Sequence, residues 1–258
     1  CLGILVARRS LGELRDTLRH GRQMAFLTAA AALIAVNWLV YVYAANQREV
    51  LQASLGYFIN PLLTVLLGVF VLRERLRPAQ WLAMAIAAGA VTIIAMGYGH
   101  LPWLALVLAG SFGLYGLMKS FAGRRTGAVA SLAIETLLLA PFALLALRWL
   151  HAHGDSHFLA DGWRSALLLA STGIVTATPL TFFAAAARRL PLSLLGMLQY
   201  LTPSLQFAIA VGVNHEAMSP SRWAGFILIW AALAILSTDA LRHQRRLRQT
   251  IAASTSAA

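Results

Sequence analysis

The sequence predicts an all-α integral membrane protein, and three observations lead to this fold class. Hydrophobic residues make up 59% of the 258-residue chain and charged residues only 12%, whereas soluble proteins have about 45–50% and about 25%. Uncharged apolar stretches recur, each at least about 18 residues long and therefore able to cross the hydrocarbon core as a helix. A repeat at a fixed offset joins these stretches into pairs. A β-barrel would instead need short alternating strands.

We predict eight full membrane spans, with approximate ends. They lie at about 24–45, 52–72, 80–97, 101–118, 127–147, 165–186, 192–213 and 223–239, and residues 1–7 have the composition of the end of another span. Pro61, Pro179 and Pro203 lie inside spans. Because proline has no N–H and clashes with the preceding turn, we expect each to kink or unwind its helix.

One segment of the chain recurs at an offset of 142 residues. Without any gap, Asn60-Pro61, Glu74, Pro78 and Trp81 match Thr202-Pro203, Glu216, Pro220 and Trp223. Proline and tryptophan are too rare for apolar composition alone to explain this match, so it indicates a duplicated helix pair. The predicted organisation is a first repeat at 1–97, truncated at its N-terminus, a second repeat at 101–241 and a basic cytoplasmic tail at 242–258.

Basic residues concentrate in alternate loops. One set of loops contains 17 of the 21 Lys and Arg residues, and the other set contains only Arg48, Arg148, Arg164 and Arg222. Basic loops remain in the cytoplasm, so this asymmetry places the C-terminus there. It also accounts for the net charge of +12 without a nucleic-acid partner.

The same topology places the solvated loop with Glu74 inside and the matching loop with Glu216 outside, so the two repeats are inverted. An odd number of spans per repeat produces this inversion, and the second repeat contains five. We therefore predict a ten-helix plan of two inverted five-helix units, with the first helix missing and the second truncated in this chain. Inverted repeats are typical of secondary transporters, in which related halves expose a site near the midplane to each side in turn.

Glu135 is the one charged residue that we predict inside a span. A carboxylate at that depth costs about 2.5–3.5 kcal/mol on insertion scales, so it should face the bundle interior or water. This makes Glu135 a candidate for proton or cation coupling, or for binding the polar part of a substrate. A structural hydrogen bond to a neighbouring helix is the alternative.

Uncharged polar and aromatic residues lie around the repeated prolines and in the first complete span. The candidate substrate-binding residues among them are Asn37, Trp38, Tyr57, Asn60, Gln199 and Tyr200. We expect these side chains to line a cavity for an aromatic or polar organic molecule. Interhelical hydrogen bonds, each worth about 0.6 kcal/mol on average, are the alternative.

The sequence gives little support to other chemistry. It has no Gly-rich phosphate loop ending in Lys-Ser/Thr, no His-Glu-x-x-His and no Gly-x-Ser-x-Gly, which argues against an ATP-driven pump, a metalloprotease and a serine hydrolase. The histidines and aspartates of 151–161 are spaced too loosely to indicate a metal site. We expect no catalytic residue, no metal and no cofactor.

Five segments carry a family resemblance: Glu49–Pro61 (EVLQASLGYFINP), Asn37-Trp38, Leu132–Thr136 (LAIET), Gly173–Leu180 (GIVTATPL) and Gln199-Tyr200. With these segments the chain resembles the RarD proteins, labelled chloramphenicol-sensitive, in the EamA branch of the drug/metabolite transporter superfamily. The resemblance covers nearly the whole chain. It implies a ten-helix permease of the bacterial inner membrane with two five-helix EamA repeats, and it implies no catalytic residues.

The sequence therefore favours a secondary transporter, an exporter of small organic molecules driven by an ion or exchange gradient. A non-transporting membrane protein is the main alternative, either a lipid-modifying enzyme or a structural partner. An enzyme should group acids, histidines or a nucleophile near the bilayer interface, whereas the polar set here lies at mid-span. A channel fits kinked inverted repeats with one buried acid less well. The expected partners are the lipid bilayer and a small-molecule substrate, and a homodimer is left open.

Overall fold

The computed structural model describes residues 11–47, 49–96, 102–123, 126–153, 162–212 and 220–256, and all regular secondary structure in these residues is helical. The helices are α1 Leu11–Arg19, α2 Gly21–Asn46, α3 Val50–Phe70, α4 Pro78–Met96, α5 Trp103–Ala122, α6 Ala128–Ala152, α7 Trp163–Arg189, α8 Leu192–Leu198, α9 Leu201–Gly212 and α10 Pro220–Ser256. The predicted all-α class is therefore confirmed for the described part of the chain.

Seven helices in the described residues are long and apolar enough to cross a bilayer. They are Gly21–Asn46, Ala53–Phe70, Pro78–Met96, Trp103–Ala122, Ala128–Ala152, Ser165–Arg189 and Trp223–Ala240. Their ends agree with seven of the eight predicted spans to within a few residues, because span length is set by the thickness of the hydrocarbon core. Residues 1–7, interpreted above as the end of another span, lie outside the described residues.

The remaining predicted span, 192–213, is an interrupted helix, which agrees with the unwinding expected at Pro203. Helix α8 ends at Leu198 and α9 begins at Leu201, with Gln199 and Tyr200 in a turn between them. Pro203 has no N–H with which to bond the carbonyl of Gln199, four residues earlier. The N–H of Thr202 donates to that carbonyl instead, at 3.0 Å.

The other two prolines named above do not interrupt their helices, and neither does Pro141, which lies inside continuous α6. Pro61 lies inside continuous α3 and Pro179 inside continuous α7. The expected unwinding is therefore confirmed next to Pro203, whereas the helices of Pro61 and Pro179 remain unbroken.

The chain forms two compact units. Unit 1 comprises the described residues of Cys1–Leu39 and Leu114–Pro191, and unit 2 those of Val40–Gly113 and Leu192–Ala258. Helices α2 and α5 contribute residues to both units. Each unit contains parts of both predicted sequence repeats, and the repeat boundaries at 97 and 101 stay a prediction.

Unit 2 is built around α3, α4, α8 and α10. Its buried core includes Leu55 and Phe58 of α3 together with Phe226 of α10, and the two phenylalanine rings meet edge to face with centroids 5.2 Å apart. Helices α3 and α8 approach closely because α8 presents a glycine. A Cβ atom on Gly196 would lie 3.0 Å from the carbonyl oxygen of Pro61.

Unit 1 is built from α6, α7, the first part of α2 and the last turns of α5. Leu27, Ala122 and Ile134 form a buried apolar cluster, and the rings of Phe26 and Phe121 stack with centroids 5.1 Å apart. These contacts bring α5 and α6 together and fix which side chains of the two helices face each other.

Helix α1 also belongs to unit 1, in a segment predicted to be a cytoplasmic loop. The hydroxyl groups of Thr17 in α1 and Thr126 are 3.3 Å apart, and both residues are buried. This contact holds α1 against the connection between α5 and α6.

Candidate functional site

Unit 1 contains a buried charged network formed by two helices with matching side-chain spacing. Tyr115 and Lys119 are four residues apart on α5, and Ser131 and Glu135 are four residues apart on α6. Residues at this spacing lie on one face of a helix, one turn apart. Each helix therefore presents a pair of polar side chains, and the two pairs meet.

The polar atoms of this network satisfy one another. Lys119 Nζ donates to Glu135 Oε1 at 2.6 Å and also to the hydroxyl of Ser131. Ser131 Oγ donates to the same carboxylate oxygen at 3.2 Å. Tyr115 donates its hydroxyl to the other oxygen, Glu135 Oε2, at 3.3 Å. We call these four residues the charged network.

Burial of the charged network is nearly complete: Glu135 and Lys119 are each 2% exposed, Ser131 3% and Tyr115 0%. A buried ion needs a partner because the loss of hydration costs several kcal/mol. The ring of Tyr115 also lies 5.6 Å from Lys119 Nζ and stacks on Phe183 of α7 at 5.8 Å. The site thus combines an ion pair with hydroxyl donors and an aromatic wall.

Lys119 corrects the expectation that Glu135 is the one charged residue inside a span. The apolar run predicts an end at residue 118 and a cytoplasmic loop for Lys119, but α5 continues to Ala122. A lysine near a helix end usually extends toward water, and here it turns inward to Glu135. The signal that could have identified the pair is the equal spacing of Tyr115 with Lys119 and of Ser131 with Glu135.

The charged network lies toward one end of its helices. Lys119 is in the last turn of α5, and Glu135 is seven residues after Ala128, the first residue of α6. At about 1.5 Å per residue, Glu135 is therefore about 10 Å inside α6. In the topology predicted from the basic loops this is the cytoplasmic end, whereas the sequence placed Glu135 in the interior of the span.

Unit 2 contains an uncharged polar cluster at the interruption between α8 and α9. Asn60 of α3 donates its Nδ2 to Oε1 of Gln199, and Asn60 Oδ1 accepts a hydrogen bond from Thr64 at 3.3 Å. Asn60 and Tyr200 are buried, with 8% and 1% of their surface exposed. The structure thus brings together residues that lie close to the two repeated prolines. We call Asn60, Thr64, Gln199 and Tyr200 the neutral cluster.

Two polar atoms of the neutral cluster have no hydrogen-bond partner in the described part of the chain. They are Nε2 of Gln199 and the hydroxyl of Tyr200, and both atoms are buried. An unsatisfied buried donor costs about 1–3 kcal/mol, and such groups are uncommon in native proteins. This arrangement leaves two buried hydrogen-bonding groups available.

The other predicted site residues have different surroundings. In unit 2, Tyr57 is half-buried. In unit 1, Asn37 is half-buried and Trp38 is 44% exposed. The roles of these three residues in substrate binding stay a prediction.

Glu74 was predicted to lie in a solvated loop, and the structure corrects this prediction because its carboxylate has tertiary partners. Its carboxylate accepts hydrogen bonds from the backbone N–H groups of Leu192 and Ser193, at 2.7 Å and 2.8 Å. These are the first N–H groups of α8, which have no partner within the helix. Glu74 therefore fixes the start of the helix whose other end is the interruption.

A second link within unit 2 comes from the same loop. Arg77 forms an ion pair with Asp239 of α10, with an N–O distance of 2.7 Å. The loop between α3 and α4 thus holds two elements of the second predicted repeat.

The chain is similar, along most of its length, to RarD proteins and to proteins named as uncharacterized transporters. Residues 2–96 match the model of the EamA-like transporter family. A RarD protein of Streptomyces exfoliatus is 51% identical over 96% of this chain and 78% of its own length. An uncharacterized transporter of Pseudomonas aeruginosa is 44% identical over 92% of this chain and 79% of its own length.

Among solved structures, one crystal structure superposes with a TM-score of 0.65 at 21% identity, covering 90% of this chain and 81% of that protein. That likeness concerns the fold alone. The sequence relatives carry the family assignment, because their identity is high and extends over most of both chains. The chain belongs to the RarD proteins of the EamA-like transporter family.

Proposed function

We propose that this protein is a secondary transporter of the bacterial inner membrane, which exports small organic molecules by alternating access. In this proposal its C-terminus is cytoplasmic, and it follows a ten-helix plan of two inverted five-helix EamA repeats. The match to the EamA-like transporter family and the transporter name of one relative support transport as the general activity. The exporter direction and the inverted topology rest on the sequence pattern.

The interruption between α8 and α9 is the observation that carries the proposal. Transporters with inverted repeats bind substrate near discontinuous membrane helices, where unwound residues can contact a ligand. Here the unwound residues Gln199 and Tyr200 belong to one repeated proline segment, and Gln199 bonds to Asn60 of the other. A pair of continuous helices that served packing alone would not need this interruption.

We assign the coupling role to Glu135 together with Lys119. The two charges neutralise each other, so the pair can stay buried while its helices remain packed. A proton or a charged group of the substrate that binds to Glu135 or Lys119 must break the ion pair between them. Breaking the ion pair links ligand binding to the packing of α5 against α6. Asn37, Trp38 and Tyr57 remain candidate substrate-binding residues in this proposal.

The test is solute uptake by proteoliposomes containing the native full-length protein, offered a metabolite mixture with and without a pH gradient. We expect protein-dependent movement of at least one organic solute, with a rate that depends on the gradient. Glu135→Gln should abolish the pH dependence. Glu49→Gln is a matched control, because Glu49 is exposed at the start of α3.

Two outcomes would contradict the proposal. Failure to move any solute across many chemical classes would favour a non-transporting membrane protein, either a lipid-modifying enzyme or a structural partner. Transport with unchanged pH dependence in Glu135→Gln would remove Glu135 from the coupling mechanism.

A further inference from the structure

The hydroxyl of Tyr200 has a different environment from that of Tyr115, although both side chains are almost completely buried. Tyr115 donates to Glu135 at 3.3 Å, whereas the hydroxyl of Tyr200 has no partner among the described residues. Tyr200 packs in an apolar cluster with Leu55, Phe58 and Phe226, whose side chains carry no acceptor. A buried phenol normally finds a partner, so the Tyr200 hydroxyl is available for a ligand atom.

Gln199 offers a second unused group at the same break. Its Oε1 accepts from Asn60, and its Nε2 is left without an acceptor in the described part of the chain. Because Oε1 is engaged by a donor, the amide orientation is fixed, with Nε2 as a donor. The adjacent residues Gln199 and Tyr200 thus present one amide donor and one phenolic hydroxyl.

The backbone at this break is already engaged. The N–H of Gln199 donates to Gly196 at 3.1 Å, and that of Tyr200 donates to Met197 at 3.3 Å. The carbonyl of Tyr200 accepts from the hydroxyl of Ser204 at 2.9 Å. A ligand at this position would therefore be recognised by the two side chains rather than by the backbone.

The surroundings of these donors are neutral. Gln199 contacts the amide of Asn60, and Tyr200 packs among apolar residues of α3, α4 and α10. An ionised solute would lose its hydration here without a counter-ion, which is far more costly than burying a neutral polar group. A neutral carbonyl compound with an apolar body needs only the hydrogen bonds that Gln199 and Tyr200 can supply.

We propose that Gln199 and Tyr200 form a subsite for the carbonyl oxygen of an uncharged organic molecule with an aromatic or apolar body. The subsite lies within the binding region of the proposed transporter, and in that respect it rests on the proposed function. The subsite specifies the chemistry of the solute. The group of the solute that enters the interruption between α8 and α9 must be a hydrogen-bond acceptor and must carry no net charge.

Three probes with one aromatic body test this chemistry: N-acetylphenylalanine amide, which is neutral, N-acetylphenylalanine, which is an anion, and phenylalanine amide, which is a cation. Binding to the purified native full-length protein is measured as a ligand-dependent rise in melting temperature, because a ligand that binds only the folded state stabilises it. The neutral probe should raise the melting temperature more than either charged probe at equal concentration.

Tyr200→Phe removes the hydroxyl with little change in shape and should weaken binding of the neutral probe by about 3- to 10-fold, the effect of one hydrogen bond. Tyr43→Phe is the control, because it removes a phenolic hydroxyl from a side chain of α2 that is 49% exposed and lies outside both polar clusters, so it should leave the affinity for the probe unchanged. Gln199→Leu is a second variant that removes the amide donor and should also weaken binding.

Three results would overturn the subsite: no stabilisation by any of the three probes, preference for a charged probe, or equal affinity of wild type, Tyr200→Phe and Gln199→Leu for the neutral probe. A bound water that satisfies Tyr200 would show itself as a lower melting temperature of Tyr200→Phe with unchanged probe affinity, which also overturns it.

Failure of the subsite is distinguishable from failure of transport. Proteoliposome uptake that persists unchanged in Tyr200→Phe would refute the subsite and leave the transport proposal intact. Probe binding to a protein that transports no solute would refute transport and leave the subsite intact.

Discussion

The two compact units bury polar side chains in opposite ways. In unit 1 the charged network is complete: Lys119 and Glu135 form an ion pair of 2.6 Å, and hydroxyl groups satisfy the remaining oxygens. In unit 2 the neutral cluster is incomplete, because Nε2 of Gln199 and the hydroxyl of Tyr200 have no partner among the described residues. Both sets are buried in helical surroundings, so burial alone does not explain the difference.

The difference indicates two kinds of use. Removing one member of a buried ion pair leaves an uncompensated charge, so the charged network can change only if a proton or another ion replaces the lost partner. A neutral group with a free donor gains a hydrogen bond when a ligand arrives, with no charge to compensate. This contrast favours coupling in unit 1 and solute binding in unit 2.

The largest expected effect comes from breaking the ion pair. Glu135→Gln or Lys119→Met alone should destabilise the protein by about 3–5 kcal/mol, because each leaves one buried charge without its partner. The double variant should recover most of that loss, since no net charge remains inside. The measurement is the free energy of unfolding in mixed micelles for the wild type, both single variants and the double variant.

The double variant also separates structure from function. If the pair serves coupling, the refolded double variant should bind solute but lose the pH dependence of uptake. If its uptake and pH dependence equal those of the wild type, the charged network is structural. Equal stability of all four proteins would show that the two charges do not interact in the native state.

The second prediction concerns how rigidly the neutral cluster is held. Gly196→Ala would place a Cβ atom 2.9 Å from Val65 Cγ2 and 3.0 Å from the carbonyl oxygen of Pro61. Overpacking of this kind costs about 1–3 kcal/mol, so we expect a lower melting temperature. Gly89→Ala is the control, because a Cβ there would meet no neighbouring element of the described chain within 4 Å and alanine favours a helix interior by about 1 kcal/mol. Equal effects at both positions would mean that α3 and α8 are not in close contact.

Much of the fold could be predicted because bilayer thickness fixes the length of an apolar helix. The interruption at Gln199 and Tyr200 could not be located from its proline alone. Pro61 and Pro203 are matched by the repeat, yet α3 is continuous and α8 and α9 are separate. The backbone carbonyl that loses its helical donor to a proline can accept a hydrogen bond from more than one group. Packing against neighbouring helices determines which group donates.

The candidate site could be predicted only in part, because hydropathy does not report pairing between helices. Glu135 is identified by its charge inside an apolar run. Lys119 escapes the same reasoning because it lies one residue beyond the predicted span end, where a lysine normally reaches water. The contact of Asn60 with Gln199 joins the two repeated proline segments, although the repeat itself matches Asn60 with Thr202. The hydrogen bonds of Glu74 to α8 depend on tertiary packing that a single sequence does not encode locally.

The third prediction tests whether Glu74 positions the start of α8. Glu74→Ala removes the acceptor of two backbone N–H groups, and the loss of such a cap costs about 0.5–2 kcal/mol. Arg75→Ala is the control, because Arg75 is exposed in the same loop and should change stability little. Amide hydrogen exchange at Leu192 and Ser193 should accelerate in Glu74→Ala, and unchanged exchange there would contradict the capping role.

The smallest effect gives the most direct comparison of the two units. Tyr115→Phe removes a hydroxyl that donates to Glu135 at 3.3 Å and should cost about 1 kcal/mol, since the carboxylate loses a donor in a dry site. Tyr200→Phe removes a hydroxyl without a protein partner in the described residues and should leave the ligand-free stability unchanged or slightly higher. The two melting temperatures, measured without solute, should therefore respond differently to the same chemical change. If Tyr200→Phe is the more damaging variant, the neutral cluster is already satisfied in the resting protein, and the contrast between a complete charged network and an open neutral one is lost.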